Sequence, residues 1–413
     1  NLYVRGALAE FAALAILPFV IDGIDLSFSE RAFRGILITG ISLALLVLTH
    51  NLSTLMIFPF AIGYFLCMAV VEKSTWQKIT AAFFGPVIGV GLSSFYWLPV
   101  IIEKEYLGRF AAVTSGYYSY ADHFIAPSQW ISSYWGFGGS VPGVEDGIGF
   151  QLGLPLLLFL FIAVGYLIYS REIRWFGVAT ISLGMFGLFM TTSSSSVIYE
   201  IFPLLPYVQF PWRFLGPATM FLSAFSGLSA GLIDRFKIIE PVYLILICIF
   251  FAVFMSGEQR AVSGRMQISA VSSESLFVQR QIGKLSMVDE YLPKWAKGDI
   301  YASSIYPQPL SGTTRIEEME IRGSHASFAV SGETGSGIMI PQFFFPEWQA
   351  TIDGIGTSVT PGENGFLYIE VPSGKHKVEV WFGTTHPRIA GWLLSIFTVI
   401  VLVAIRMKLL SIA

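Results

Sequence analysis

The sequence predicts a polytopic α-helical membrane protein with an extracytoplasmic β-sandwich domain before its last span. Three observations predict it: nine apolar runs of near-spanning length, cation pairs confined to alternate gaps, and period-two alternation after Arg315. A helix rising about 1.5 Å per residue needs roughly 20 residues to cross the hydrocarbon, fewer where the bilayer thins. The runs lie at 6–21, 35–49, 52–71, 79–102, 152–169, 175–192, 214–233, 240–256 and 389–405. Arg31 and Arg34, Lys73 and Lys78, Arg171 and Arg174, Arg235 and Lys237, and Arg406 and Lys408 fill alternate gaps. By the positive-inside bias these face the cytoplasm.

The other gaps then face outward, and all five histidines lie in them. This gives a bundle over 1–256 with an outer loop at 103–150 and an interfacial segment at 193–213. A connecting region at 257–314, a β-sandwich at 315–387, and a final helix with cytoplasmic tail at 388–413 complete the chain. Charged residues make up 13% and apolar ones 54%, as in a membrane protein, and the net charge of −3 implies no partner. Cys67 and Cys248 fall inside predicted spans, so neither a disulfide framework nor a thiolate metal site is expected. The chain begins at Asn1 on the outer face and reads as a fragment, preceded by an odd number of spans if the true N-terminus is cytoplasmic.

The sandwich is read from Ile316, Met319 and Ile321, Phe328 and Val330, Ile338 and Ile340, Leu367, Ile369 and Val371, and Val378, Val380 and Phe382. Turn signals separate them at Asp353-Gly354, 361–365 and 372–374. Trp348 is expected in the core, with Asp353-Gly354 as a tight turn.

Candidate functional residues gather in the outer segments. Glu10 lies inside the first apolar run, where a carboxylate is costly, about 2.5 kcal/mol or more at mid-membrane, unless it faces a cavity or a partner. Arg5 is a candidate partner, although a five-residue separation is poor for a pair on one helix. His50 and Asn51 occupy a spacer-free turn between two spans, where they can meet a sugar hydroxyl or phosphate; alternatively, Asn51 or Ser53 caps the next helix. Trp97 stands among interfacial aromatics, and Glu103 marks where a span opens into the outer loop, a suitable place for an acid or base.

That loop is rich in Tyr, Trp, Gly and Ser, and its rings, with Asp122 and His123, suit stacking on pyranose faces. Asp122-His123 alone is a weak metal signal, so no metal or cofactor is indicated. Pro203 and Pro206 interrupt the 193–213 segment, which should lie along the interface and end at Arg213. Its guanidinium can grip a lipid phosphate in a two-pronged contact or simply snorkel.

Taken together, residues 3–10 (YVRGALAE), Thr49-His50-Asn51, 95–99 (FYWLP), 210–214 (FPWRF) and 345–354 (FPEWQATIDG) resemble the bacterial membrane family labelled "6-pyruvoyl-tetrahydropterin synthase-related". No pterin-synthase zinc site accompanies them. That family is similar to YfhO-like proteins and to the C-type (GT-C) glycosyltransferases. The resemblance covers essentially the whole chain and implies a GT-C-like bundle transferring sugar from a polyprenyl-phosphate donor to an envelope glycan or lipid acceptor on the outer face.

The resemblance raises Arg5, Glu10, His50, Asn51, Glu103 and Arg213 as cavity-lining residues. Glu10, Glu103 and His50 then take catalytic roles, while Arg5, Asn51, Trp97, Asp122, His123 and Arg213 bind substrate. In such enzymes the acidic catalytic residue lies in the first outer loop after the first span, a region not in this sequence. Membrane lipids are the remaining expected partner; no nucleic acid is. Without a phosphate-binding glycine loop, soluble-nucleotide chemistry is disfavoured. The alternative is a non-catalytic transporter of lipid-linked glycan, or an envelope-assembly scaffold with a carbohydrate-binding outer domain.

Overall fold

The computed structural model describes residues 5–72, 74–108, 114–132, 134, 136, 138–169, 174–231, 245, 248–249, 292–297, 306–310, 314–362 and 364–412. It divides into two compact units, one of residues 1–93 and 114–272 and the other of residues 94–113 and 273–413.

The first unit is helical: α1 (Leu8–Phe28), α2 (Ala32–Thr49), α3 (Asn51–Val71), α4 (Trp76–Leu92), α6 (Leu154–Tyr169), α7 (Arg174–Met190), α8 (Ser196–Ile201) and α9 (Leu215–Ser226). To the second unit belong α5 (Ser94–Glu103), nine short strands among the described residues, and α10 (His386–Ile412). Among the described residues four helices are long and apolar enough to cross a membrane, or up to six if each interrupted pair is one span. Most of the apolar run at 240–256 lies outside the described residues.

Helices α1, α2 and α4 approach closely through small residues. A Cβ on Gly35 would meet the Ser27 nitrogen at 2.2 Å, and one on Gly89 would meet the Leu43 Cβ at 2.8 Å, so side-chain-free surfaces let the backbones touch. Around α3 the core is aromatic. Phe60 stacks on Phe221 at 5.5 Å and meets Phe186 edge-on at 5.4 Å, joining α3 to α7 and α9. Large apolar side chains such as Phe19, Leu66, Val70 and Phe161 are exposed, as on helices that face lipid.

One apolar run is broken where hydropathy suggests continuity, and another ends in a sharp bend close to where the sequence ends it. The run at 79–102 is interrupted at Ser93, whose hydroxyl donates to the Gly89 carbonyl at 2.8 Å. Beyond it, Ser94 donates to the Gly391 carbonyl at 2.9 Å, and the Phe95 amide donates to the Ser395 hydroxyl at 3.1 Å, fastening α5 to α10. The bend follows α7. Thr191 and Thr192 turn their hydroxyls onto the Leu188 and Phe189 carbonyls at 2.6 and 2.8 Å, and the chain bends by 93° into the segment carrying α8.

The strands are β1 (Gln308–Pro309), β2 (Arg315–Arg322), β3 (His325–Gly332), β4 (Ser336–Phe343), β5 (Trp348–Ile352), β6 (Ile355–Thr357), β7 (Thr360–Pro361), β8 (Phe366–Val371) and β9 (Gly374–Phe382). They form one sheet ordered β1-β4-β8-β7 and another ordered β2-β3-β9-β5-β6. Alternate residues from both sheets, including Phe328, Val330, Ile338, Leu367, Ile369 and Val378, share one buried core. Strand β1 adds an edge ahead of Arg315, so the domain takes in part of the connecting region. Asp353 and Gly354, with φ of 51° and 80°, make the two-residue turn between β5 and β6. Trp348 packs from the rim onto this core and meets Phe382 edge-on at 5.2 Å.

Candidate functional site

The start of α1, the end of α2 and the approach to α9 meet at one end of the first unit, and there Arg5, Glu10, His50 and Arg213 come together. Glu10 stands in the first turn of α1, where the helix dipole favours a negative charge, and is only 3% exposed. Arg5 Nη1 donates to Glu10 Oε1 at 2.8 Å, and Arg213 Nε lies 3.4 Å from Oε2. The unfavourable five-residue spacing does not apply, because the helix begins only at Leu8 and Gly6, at φ 63°, turns the chain so that Arg5 folds back.

Each guanidinium also rests on an aromatic ring. Arg5 lies 4.6 Å from the Trp212 ring centre and Arg213 lies 4.8 Å from that of Phe210. Arg213 is further held by a turn of unusual geometry. Gln209 has φ 64° and ψ −46°, and the Phe210 amide donates to the Val208 carbonyl at 2.7 Å, which defines a strained γ-turn. Arg213 Nη1 donates to that same Val208 carbonyl at 2.8 Å and to Gln209 Oε1 at 3.4 Å. Strain of this kind costs on the order of 1–3 kcal/mol and persists where the surroundings over-determine it.

Burial pushes the Arg213 guanidinium down to about 10, with Glu10 opposing the shift and Arg5 adding to it, so it stays charged at neutral pH. The side chains of Arg5 and Arg213 are only 16% and 10% exposed. Two cations, largely withdrawn from solvent, therefore share one carboxylate.

His50 is the N-cap of α3, a role the sequence assigned to Asn51 or Ser53. Its Nδ1 accepts from the Ser53 amide at 3.1 Å, which requires the neutral ring with the proton on Nε2. Burial, together with the nearby arginines and against the pull of Glu10, holds the imidazole below its ordinary range. The unfolded chain thus binds this proton more firmly. The stabilisation is full above about pH 6.5 and is lost as pH falls through the lower folded value. Melting temperature in detergent is expected to fall between pH 7 and 5, and His50→Asn, which can still cap, should flatten that slope. Equal slopes in the two proteins would remove His50 from the titration.

The other candidates are placed differently. Asn51 is exposed in the first turn of α3. His123 is buried beneath Phe210 at 4.5 Å, with Nε2 donating to the Tyr117 carbonyl and Nδ1 accepting from Ser140 at 3.0 Å, so both ring nitrogens hold the loop before α6 together. Asp122 is exposed beside it.

Trp97 and Glu103 belong to the second unit. There Arg388 grips Glu103 in a fork, Nε to Oε1 at 3.1 Å and Nη2 to Oε2 at 2.7 Å, while Thr385, at the start of α10, donates its hydroxyl to Oε1. Among the described residues no group of three His, Cys, Asp or Glu side chains is placed to hold a metal ion.

Sequence reasoning passed over Gln209, whose positive φ has no sequence signature, and Arg388, which is 285 residues from its partner. Asp25 was missed too, because α1 runs past the apolar stretch; it accepts from the Tyr64 hydroxyl at 2.8 Å.

The long apolar helices and the β-sandwich fit an integral membrane protein with a β-rich domain near its C-terminus. No family model matches the chain, and no solved structure matches it. It is similar to a protein of Lactococcus lactis subsp. cremoris (strain MG1363) described as an uncharacterized protein, 24% identical over 467 aligned positions that cover 98% of this chain and 72% of that one.

Proposed function

We propose that the protein is a membrane glycosyltransferase that moves a sugar from a polyprenyl-phosphate donor to a cell-envelope glycan or lipid acceptor on the outer face. One observation carries the reading: two guanidinium groups, 16% and 10% exposed, converge on one carboxylate, Glu10, at one end of the first unit. Paired guanidinium groups at the end of a membrane bundle suit an anionic group, because each can make charge-assisted, two-pronged hydrogen bonds to phosphate oxygens. The phosphate of a lipid carrier supplies the charge while its chain stays in the bilayer.

In this scheme Arg213 and Arg5 hold the phosphate, and charge developing on it as the sugar departs is stabilised by the same fork. Glu10, engaged on both oxygens, orients the two arginines. His50 offers its Nε2 proton to a phosphate or sugar oxygen. The GT-C-like arrangement of about nine spans and the outward placement of the sandwich belong to this proposal. Its orientation rests on cation placement: Arg31 and Arg34 flank the far end of α1, about 30 Å from Glu10 at 1.5 Å per residue.

A transporter of lipid-linked glycan is the second reading, and Asp25 with Tyr64 at the far end of α1 and α3 is the observation that favours it. The buried face of α1 between Glu10 and Asp25 is Ala13, Leu17, Val20, Gly23 and Ile24, with no polar step for a glycan, which supports the enzyme instead.

The orientation is testable in cells. With Cys67 and Cys248 replaced, a cysteine at exposed Ser128 is expected to react with an impermeant maleimide from outside, and one at exposed Gln77 only after permeabilisation. The opposite pattern would invert the topology and remove the outer-face reaction.

A further inference from the structure

The loop before α6 in the first unit contains a cleft, separate from the arginine pair. It has a volume of about 360 Å³ and is lined by Gln129, Ser132, Tyr134, Glu145, Ile148 and Phe150, among others. Pockets that take small molecules start at about 300 Å³, so this cleft has room for a sugar ring.

Its walls are built around buried polar groups. Asp146, 6% exposed, accepts from the Val141 amide at 2.9 Å through Oδ1 and from Gln129 Nε2 at 2.8 Å through Oδ2, and Gln129 Oε1 accepts from the Ala126 amide at 2.8 Å. The Gly138 amide donates to the Gly147 carbonyl at 2.6 Å, an approach that a Cβ on either residue would block, since each would meet backbone at 2.7 Å. The loop is therefore cross-braced beneath the cleft.

The lining indicates the ligand class. Tyr134 is 50% exposed, a ring face available to the C–H face of a pyranose, and Ile148 and Phe150 extend the apolar surface. The carboxylate of Glu145 can accept from sugar hydroxyls and the hydroxyl of Ser132 can donate to them. Among the described lining residues none is Lys or Arg, so the cleft is not suited to a phosphate.

The cleft is also joined to the arginine site by a shared wall. Phe150 lines the cleft and lies 5.4 Å from Trp212, and Trp212 carries Arg5 at 4.6 Å.

We infer that this cleft is the subsite for a neutral hexopyranose unit of the acceptor glycan, next to the arginine pair that holds the donor phosphate. The assignment of the bound unit to an acceptor rests on the glycosyltransferase reading; the binding of a pyranose does not.

The test is saturation-transfer NMR on the full-length protein in nanodiscs, with cellotetraose, maltotetraose and chitotriose as probes. At least one probe is expected to receive saturation, strongest at its ring C–H protons. That signal should fall at least tenfold in Tyr134→Ala, fall several-fold in Glu145→Gln and persist in Arg213→Ala. No saturation of any probe, or an undiminished signal in Tyr134→Ala, would overturn the subsite. Probe binding that survives while no polyprenyl-phosphate donor supports transfer would keep the pyranose site and sink the glycosyltransferase reading, so the two failures are distinguishable.

Discussion

Replacing Arg213 with alanine is expected to raise the KM for a polyprenyl-phosphate sugar donor by roughly ten- to hundredfold. The figure follows from about 1.5–3 kcal/mol for a hydrogen bond to a charged group, at 1.4 kcal/mol per factor of ten. Arg213→Lys keeps the charge and loses the fork, so it should fall between wild type and alanine. Because Arg213 also braces the γ-turn at Gln209, the alanine protein will melt earlier, and the lysine protein guards against mistaking that for lost binding. Glu10→Gln should raise the same KM by releasing both guanidinium groups from their shared anchor. An unchanged donor KM in Arg213→Ala would take the arginine out of the site.

The second large effect concerns Glu103 and separates an architectural role from a catalytic one. Arg388→Met leaves a carboxylate that is 9% exposed without its cation and is expected to destabilise the second unit by about 2 kcal/mol. Loss of one partner of a fully buried pair costs about 3–5 kcal/mol; Arg388 is 33% exposed, so water recovers part of it. The double substitution Glu103→Gln with Arg388→Met should regain most of that stability, since neither charge is then stranded. In thermal melts a double protein no better than Arg388→Met would show that the pair does not fasten α5 to α10. Lost turnover in Glu103→Gln at unchanged melting temperature would instead make Glu103 a reacting group.

These residues also show what could be read from the chain alone. The helices were legible because lipid and core both demand apolar side chains, and the sandwich because a buried sheet face imposes period two. The end of the run at 175–192 was legible too, but the break after Leu92 was not, because hydropathy averages over the serine whose hydroxyl ends that helix.

Four of the candidate polar residues, Arg5, Glu10, His50 and Arg213, meet at one site, and the signal for that was their common placement at one end of their spans. Their individual roles depended on details no pattern carries. The start of α1 at Leu8 decides whether Arg5 reaches Glu10, and the ring orientation of His50 decides whether Nδ1 caps a helix. The pairing of Glu103 with Arg388 is tertiary and leaves no local trace.

The central claim is that the Arg5 and Arg213 guanidinium groups bind the phosphate of a lipid-linked sugar. Transfer of a radiolabelled sugar from a defined polyprenyl-phosphate donor by the full-length protein in liposomes tests it most directly, with Arg213→Ala and Arg213→Lys alongside. The account predicts transfer by wild type, weakened donor use by the lysine protein and weaker still by the alanine protein. Transfer at an unchanged donor KM in Arg213→Ala, or no transfer by the wild type from any polyprenyl-phosphate sugar, would contradict it.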